Sequence, residues 1–218
     1  MNYKTIDKKW PVKALIREKT FQEVVHSWLR DEWSFPHYDQ IRPTIPSAII
    51  DSPNFSDENE NNQRLQLLRY VRKPMIDPIP SNTEWYVISF KKDDLDRTFI
   101  VPSDDWLPLT NNSYQILEAI KNVESQIDHA PKIREVRNAI ERDSVGRNLI
   151  LVTSSLESPF TIIEGNHRAV AFTSKALDET PDMIIEEVFL GVSPQMKDYI
   201  WHIESRLPGN PRLLKPTS

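Results

Sequence analysis

Five consecutive residues, Glu164 to Arg168, place an acid, a glycine, an amide, a histidine and an arginine between a strand-like and a helix-like segment. Gly165 can adopt a backbone conformation that other residues resist, so a tight turn is expected there. Asn166 is a residue type preferred at the N-cap of a helix. The first N–H groups of a helix lack intrahelical partners and carry the positive end of its dipole. The run therefore predicts an anion site, for which phosphate is the usual ligand.

The side chains of this run extend the same prediction. His167 and Arg168 add two donors beside the first turn of the helix, where they could stabilise a bound phosphate. Glu164, at the end of the strand, could bind a divalent metal ion or orient a hydroxyl group. The alternative is a structural helix cap with an exposed Glu–Arg pair. We favour the functional interpretation, because four polar side chains surround one glycine turn.

Hydrophobic patterning places this run among alternating strands and helices. The strand-like segments are short and rich in β-branched and aromatic residues, whereas the helix-like segments repeat apolar residues every three or four positions. The predicted strands span Glu84–Phe90, Arg97–Val101, Asn148–Thr153, Phe160–Ile163 and Met183–Phe189. The predicted helices span Ser113–Ile127, a segment that begins at Pro131, and His167–Leu177. We therefore predict a mixed α/β (α+β) fold class, with a small sheet flanked by helices.

The first part of the chain is predicted to be mainly helical. Apolar residues recur at helical spacing over residues 12–32, and a second helix is expected from about Asp57 to Arg72. A proline-rich connector at residues 34–57 joins them, and a further cluster of prolines from Pro74 onward breaks the pattern. We expect three parts: a helical region with this connector at 1–79, a main domain at 80–192, and a C-terminal amphipathic helix and tail at 193–218.

Composition excludes several classes of protein. The chain of 218 residues has no cysteine, so thiol catalysis, disulfide scaffolds and cysteine-based metal sites are excluded. It carries 27 Lys and Arg against 32 Asp and Glu, a net charge of −5, which argues against a dedicated nucleic-acid partner. No apolar run approaches the roughly 18 residues of a membrane span, and the N-terminus has no secretory pattern. We therefore expect a cytoplasmic protein with no membrane partner.

The run from Glu164 to Arg168, followed by Ala169 and Ala171, resembles the signature of the ParB/sulfiredoxin-like superfamily. That signature is a strand, an acid, Gly-x-His-Arg, and a helix with a nearby alanine. The resemblance extends over roughly residues 80–192, where the helix before the turn and the strands on either side follow the order that the family uses. It implies that Gly165, Asn166, His167 and Arg168 hold the phosphates of a nucleotide.

Within that superfamily the motif is closest to the free-serine kinases. Their acid before the glycine is catalytic or nearly so, which the resemblance assigns to Glu164, although that branch usually has Asp. Sulfiredoxins need a cysteine inside the turn, and Asn166 stands there instead, so their activity is excluded. A kinase also needs a second acid, and the nearby candidates are not distinguished by the sequence: Asp93, Asp94, Asp96, Asp104 and Asp105.

The resemblance and the residues together predict an enzyme. We expect a phosphotransferase that uses ATP or ADP with Mg²⁺ to phosphorylate a hydroxyl-bearing small molecule. Glu164 and His167 would be catalytic, and Glu164 would also be a metal ligand. The alternatives are a non-catalytic nucleotide-binding switch and a metal-dependent nuclease-like activity.

A basic run is either a solvated helix face or a further set of phosphate contacts: Lys132, Arg134, Arg137, Arg142 and Arg147.

Overall fold

The computed structural model describes residues 15–125, 129–141, 148–178 and 183–206. Within these ranges the chain forms a mixed α/β fold, as predicted. The strands are β1 (Leu15–Lys19), β2 (Glu84–Lys91), β3 (Thr98–Ile100), β4 (Ile150–Thr153), β5 (Phe160–Glu164) and β6 (Met183–Val192). The α-helices are α1 (Phe21–Glu32), α2 (Ala48–Asp51), α3 (Glu58–Ile76), α4 (Ile116–Asn122), α5 (Ala130–Glu141) and α6 (Asn166–Asp178).

The strands form one six-stranded sheet in the order β1-β2-β6-β4-β5-β3. Strand β3 runs parallel to β5, and β4 runs parallel to β6, whereas the other neighbours are antiparallel. Because β3 and β5 share a direction, with Ile100 opposite Ile162, both strands end at the same edge of the sheet. The loop that follows β3 is thereby placed beside the turn that follows β5.

Both faces of the sheet are buried. Along β4, Leu151 packs into the cluster that includes α4 and α6, while Ile150 and Val152 pack into the cluster formed with α1 and α3. This division follows from the alternation of side chains along a strand. It also explains the unbroken apolar sequence of β4, since a strand that is covered on both faces needs no polar side.

The helix predicted over residues 12–32 is wrong in its first part. Residues 15–19 form β1, which pairs with β2, and α1 begins only at Phe21. Thr20 ends the strand and caps the helix, because its hydroxyl accepts from the N–H of Glu23 and its own N–H donates to the Glu23 carboxylate at 2.8 Å. This reciprocal pair is a capping box, a strong signal for a helix start.

Contacts cross the predicted division between residues 79 and 80. Strand β1 belongs to the main sheet, and the hydroxyl of Tyr199 donates to the carbonyl of Met75 at 2.6 Å. Helix α3 continues through Pro74, with a kink at Arg72, where a break was expected. The division into three parts remains a prediction, and these contacts join the three parts through one sheet and its buried faces.

The amphipathic helix predicted from Ser193 is also wrong. Two short 3-10 turns, Pro194–Asp198 and Ile203–Arg206, replace it, with extended backbone at Tyr199 between them. Met196, Tyr199 and Ile203 are nevertheless buried, at a spacing typical of a helix, whereas Ile200 is 41% exposed. Residues 207–218 of the predicted tail lie outside the described residues.

No helix in the described ranges is long and apolar enough to cross a membrane.

His202 in this segment is expected to make the fold sensitive to acid. The buried ring donates from Nε2 to the carbonyl of Pro159 at 3.2 Å and accepts at Nδ1 from the N–H of Glu204 at 3.3 Å, so it is held neutral. Burial lowers the pKa of His202 to about 4. The unfolded chain, with a histidine pKa of about 6.5, therefore binds a proton that the native state does not. The contribution of neutral His202 to the free energy of unfolding is fully present above about pH 6.5, and about 3 kcal/mol of it is lost toward pH 4.

Urea unfolding between pH 7 and pH 4.5 tests this expectation. The slope of unfolding free energy against pH should be smaller in His202→Asn than in the wild type by up to roughly 1.4 kcal/mol per pH unit, the effect of one proton. Equal slopes in the two proteins would show that His202 is not held neutral by the fold.

Candidate functional site

The turn between β5 and α6 has the conformation that the sequence predicts. Gly165 lies at φ +85°, in the left-handed region that favours glycine. A Cβ atom at this position would lie 2.6 Å from Cδ2 of Leu149 and 3.2 Å from the carbonyl oxygen of Asn148. The turn is therefore pressed against the start of β4, and glycine is required for both its backbone conformation and its lack of a side chain.

Asn166 does not cap α6 as predicted. It is the first helical residue, and its Oδ1 accepts from the backbone N–H of Val101 at 3.1 Å, which ties the end of β3 to the turn. The residue before the helix is Gly165, which has no side chain with which to cap. The first backbone bond of α6 runs from Ala169 to Gly165 at 2.8 Å, and no described hydrogen bond uses the N–H groups of residues 166–168. The helix therefore begins with its donors unused.

These donors open onto a large cleft. Its volume is about 760 Å³, within the range of small-molecule sites. One wall is the turn itself, and the others come from α1, α3, α5 and the loop after β3. The polar and charged residues of the lining are Arg30, Asp31, Glu32, Arg72, Ser103, Asp105, Lys132, Asn148, Glu164, Asn166, His167 and Arg168. Every residue of the predicted site thus lies on one cleft.

Arg168 joins two acids in this cleft. Its guanidinium donates to Asp31 Oδ2 at 2.6 Å and to Glu164 Oε1 at 3.2 Å, and the three side chains are 14%, 15% and 18% exposed. Asp31 lies on α1, 137 residues away in the sequence, and was not predicted as a site residue. No local pattern marks it, because α1 is an amphipathic helix whose acids resemble any solvated face.

Glu164 lies in an environment that disfavours its charge. Burial raises the pKa of its carboxyl, and Glu32 and Asp31 add to that effect, while Arg168 opposes it. Its Oε1 is used by Arg168, but no described hydrogen bond uses Oε2. An acid with a raised pKa and one unused oxygen is suited to holding a hydroxyl group or a cation.

The cations of the cleft divide into paired and unpaired groups. Arg72 pairs with the buried Glu32, with 2.7 Å between Nε and Oε1. In contrast, Arg30 and Lys132 have no carboxylate partner among the described residues, and the ammonium of Lys132 lies over the ring of Phe35. These two side chains are exposed and available to an anion.

Only part of the predicted basic run reaches the cleft. Lys132 lines it, whereas Arg134 and Arg137 pair with Glu124, and Arg137 also donates to the hydroxyl of Ser174 on α6. Arg142 and Arg147 lie outside the described residues. Of the three described residues of the run, one lies on the cleft, Arg134 is on the solvated face of α5, and Arg137 links α5 to α6.

His167 belongs to a cluster that the sequence did not reveal. Its Nε2 lies 3.1 Å from Nδ1 of His129, and Nε2 of His129 lies 2.9 Å from the carbonyl oxygen of Asp105. The ring of Trp106 stacks on His129 at 4.2 Å between centroids and contacts His167 at 4.8 Å. Burial lowers the pKa of His167 to about 4, and the positive charge of Lys132 adds to this effect, so the ring is neutral at pH 7.

Of the five candidate second acids, Asp105 alone lines the cleft. Asp94 is buried and accepts from the Lys91 N–H at 3.0 Å and from Arg97 at 3.0 Å, so it has a structural role at the end of β2. Within the described ranges, no group of three or more His, Asp or Glu side chains is placed to hold a metal ion. Metal binding at Glu164 remains a prediction.

No family model, curated protein or solved structure matches the chain.

Proposed function

We propose that this protein is a phosphotransferase that moves a phosphoryl group from ATP or ADP to a hydroxyl group of a small molecule. The observation that carries the proposal is the uncapped start of α6, which opens onto the cleft together with two cations that lack carboxylate partners within the described part of the chain. Unused N–H groups, a helix dipole and free cations are the elements that bind phosphate in proteins. The cleft volume suits a nucleotide and a small acceptor together.

The phosphate chain would lie across the first turn of α6. The N–H groups of residues 166–168 would contact its oxygens, with Lys132 on one side of the cleft and Arg30 on another. Gly165 allows the close approach of the backbone. Arg168, which lies between the two acids and this helix start, would add a further donor to the phosphates, as the family resemblance implies.

Mg²⁺ is the proposed metal, and Glu164 and Asp31 are the residues that would hold it. Magnesium in phosphoryl-transfer sites is held by one or two carboxylates together with the phosphates of the substrate. Glu164 and Asp31 supply two carboxylates that converge on Arg168. When bound, the ion would neutralise charge on the phosphates.

The transfer itself forms one bond and breaks one. The acceptor oxygen bonds to the terminal phosphorus, and the bond from phosphorus to the departing nucleotide oxygen breaks, with its electrons remaining on the nucleotide. The hydroxyl proton must pass to a base in the cleft, and Glu164 and His167 are the residues to which we assign catalysis. Arg168 and Lys132 would stabilise the charge on the transferring group.

The proposed fold is of the ParB/sulfiredoxin-like kind. Its support is the order of elements around the turn, in which β4, β5, α6 and β6 follow one another along the chain. The glycine of the signature, Gly165, lies in the turn after β5 at φ +85°.

A second candidate function is a nucleotide-binding switch without catalysis. The contact that favours it is the pair between Arg168 and Asp31, because it links the predicted phosphate site directly to α1. A phosphate that drew Arg168 away from Asp31 would change how α1 is held. Tight nucleotide binding with no turnover on any hydroxyl compound would support this alternative.

Thermal unfolding with ATP and ADP, each with and without Mg²⁺, tests the proposed phosphate site. A ligand that binds only the native state raises its melting temperature, and we expect this for the wild type. Loss of one charged contact should cost about 1.5 to 3 kcal/mol of binding, so Lys132→Ala and Arg30→Ala should each weaken binding by roughly tenfold or more.

Arg134→Ala is the matched control for Lys132→Ala. It removes the same charge from the same helix, but Arg134 pairs with Glu124 outside the cleft. It should bind nucleotide like the wild type. An absence of any shift, or an equal shift in all the variants, would contradict a phosphate site at the start of α6.

A further inference from the structure

The hydrogen bonds around His129 determine which nitrogens of the two histidines carry protons. A backbone carbonyl only accepts, so Nε2 of His129, 2.9 Å from the Asp105 carbonyl oxygen, must carry a proton. In a neutral ring the other nitrogen is then unprotonated, here called bare, and Nδ1 of His129 accepts from Nε2 of His167 at 3.1 Å. The Nδ1 atom of His167 is therefore also bare.

This assignment changes what His167 can do in the cleft. A bare Nδ1 cannot donate to an ionised phosphate, which itself only accepts. It can accept from a hydroxyl group, which donates. No described hydrogen bond uses this nitrogen, and His167 lines the cleft beside the start of α6. The geometry therefore favours the acceptor hydroxyl, and not the phosphate chain, as the partner of the His167 ring.

We propose that His167 and His129 form a proton relay that takes the proton of the acceptor hydroxyl, with His167 as a catalytic base and His129 as its positioning residue. This inference rests on the proposed phosphotransfer. The hydroxyl proton passes to Nδ1 of His167 as the oxygen bonds to phosphorus, and the proton on Nε2 of His167 passes to Nδ1 of His129. His167 ends neutral with its proton on Nδ1, and His129 ends as an imidazolium.

The surroundings explain why the charge should end on His129. His167 alone is a weak base, because burial and Lys132 of α5 disfavour its cation, with only Asp105 opposing them. His129 presents its face to Trp106 at an interplanar angle of 22°, and an aromatic face stabilises a cation. The Asp105 carbonyl accepts from the imidazolium as it does from the neutral ring. In the relay, the positive charge therefore ends on His129 and not on His167.

Nitrogen-15 NMR of the histidine rings tests the relay without any substrate. At neutral pH we expect the proton of His167 on Nε2 and a bare Nδ1. As the pH is lowered, the pair should take up one proton in a single step, in which His129 becomes an imidazolium and the proton of His167 moves from Nε2 to Nδ1. Separate titration of the two rings, or a first proton that charges His167 itself, would overturn the relay.

Two variants separate the hydrogen bonds from the proton transfer. In His129→Asn the side-chain oxygen can take the place of Nδ1 and accept from Nε2 of His167, but the side chain cannot be protonated. His129→Phe keeps an aromatic ring against Trp106 and loses both hydrogen bonds. We expect the tautomer shift of His167 to disappear in both variants, while the bare Nδ1 at neutral pH persists only in His129→Asn.

Kinetics of the same variants distinguish failure of the relay from failure of the proposed function. We expect kcat of His129→Asn to fall by about 10²-fold or more, with KM little changed, since a general base contributes at least that much. Turnover by the wild type with an unaltered kcat in His129→Asn would overturn the relay and leave phosphotransfer standing. Absence of turnover on any hydroxyl compound, with the NMR step present, would overturn phosphotransfer instead.

Discussion

Replacing Glu164 by Gln is expected to abolish turnover and leave the fold intact. Glutamine keeps the size of the side chain, and Arg168 retains Asp31 as a partner at 2.6 Å, so no buried cation is left unpaired. The amide cannot hold a cation as a carboxylate does, and it cannot take or orient the hydroxyl proton in the same way. We expect a loss of kcat of about 10³-fold or more, with the melting temperature changed by only a few degrees.

Glu118→Gln is the matched control for this variant. It makes the same chemical change on α4, where Glu118 pairs with Lys121 and does not line the cleft. Its turnover should equal that of the wild type, measured as phosphate transfer from ATP or ADP to a panel of small hydroxyl compounds. Unchanged turnover in Glu164→Gln would remove Glu164 from the proposed site.

Replacing Gly165 by Ala is expected to destabilise the whole protein. The left-handed conformation costs an L-residue about 1 to 2 kcal/mol, and the contact with Leu149 adds about 1 to 3 kcal/mol of overpacking. We therefore expect a loss of about 2 to 5 kcal/mol, measured by urea unfolding. For a chain of this size that corresponds to a fall of about 4 to 20 °C in melting temperature.

A double-mutant cycle with Leu149→Ala divides this cost into its two causes. Removing the Leu149 side chain makes room for the new Cβ, so the added cost of Gly165→Ala should be smaller in the Leu149→Ala background. The cost that remains is the backbone strain at φ +85°. An equal cost in both backgrounds would show that the clash contributes nothing.

The turn and its neighbouring elements were predictable because their signals are local. Strand β5, Gly165 and α6 follow one another within 19 residues, and each has its own pattern of apolar residues. The four other strands predicted in this part of the chain also form, within a few residues of the expected bounds. Strand β1 was missed because Leu15 and Ile16 fit the apolar spacing of the following helix, and its pairing partner β2 lies about 70 residues away.

The remainder of the candidate site could not be predicted, because it depends on contacts between distant residues. Asp31 and Arg168 meet only because α1 packs on the sheet beside the turn, and His129 reaches His167 across 38 residues of chain. No spacing in the sequence marks either pair. In the C-terminal segment a local pattern was misleading. Met196, Tyr199 and Ile203 recur at helical spacing because they are buried, although the segment is not an α-helix.

The pair between Asp31 and Arg168 also affects when the cleft can form during synthesis of the chain. During synthesis α1 emerges long before α6, so more than half of the chain is made between Asp31 and its partner Arg168. Strand β1 likewise cannot pair until β2 has been made, and β2 cannot pair with β6 until β6 has been made. Such distant pairings slow folding, because the chain must close large loops before the contacts form. The cleft is therefore among the last features to appear, and a nascent chain that has not reached α6 has no competent site to expose.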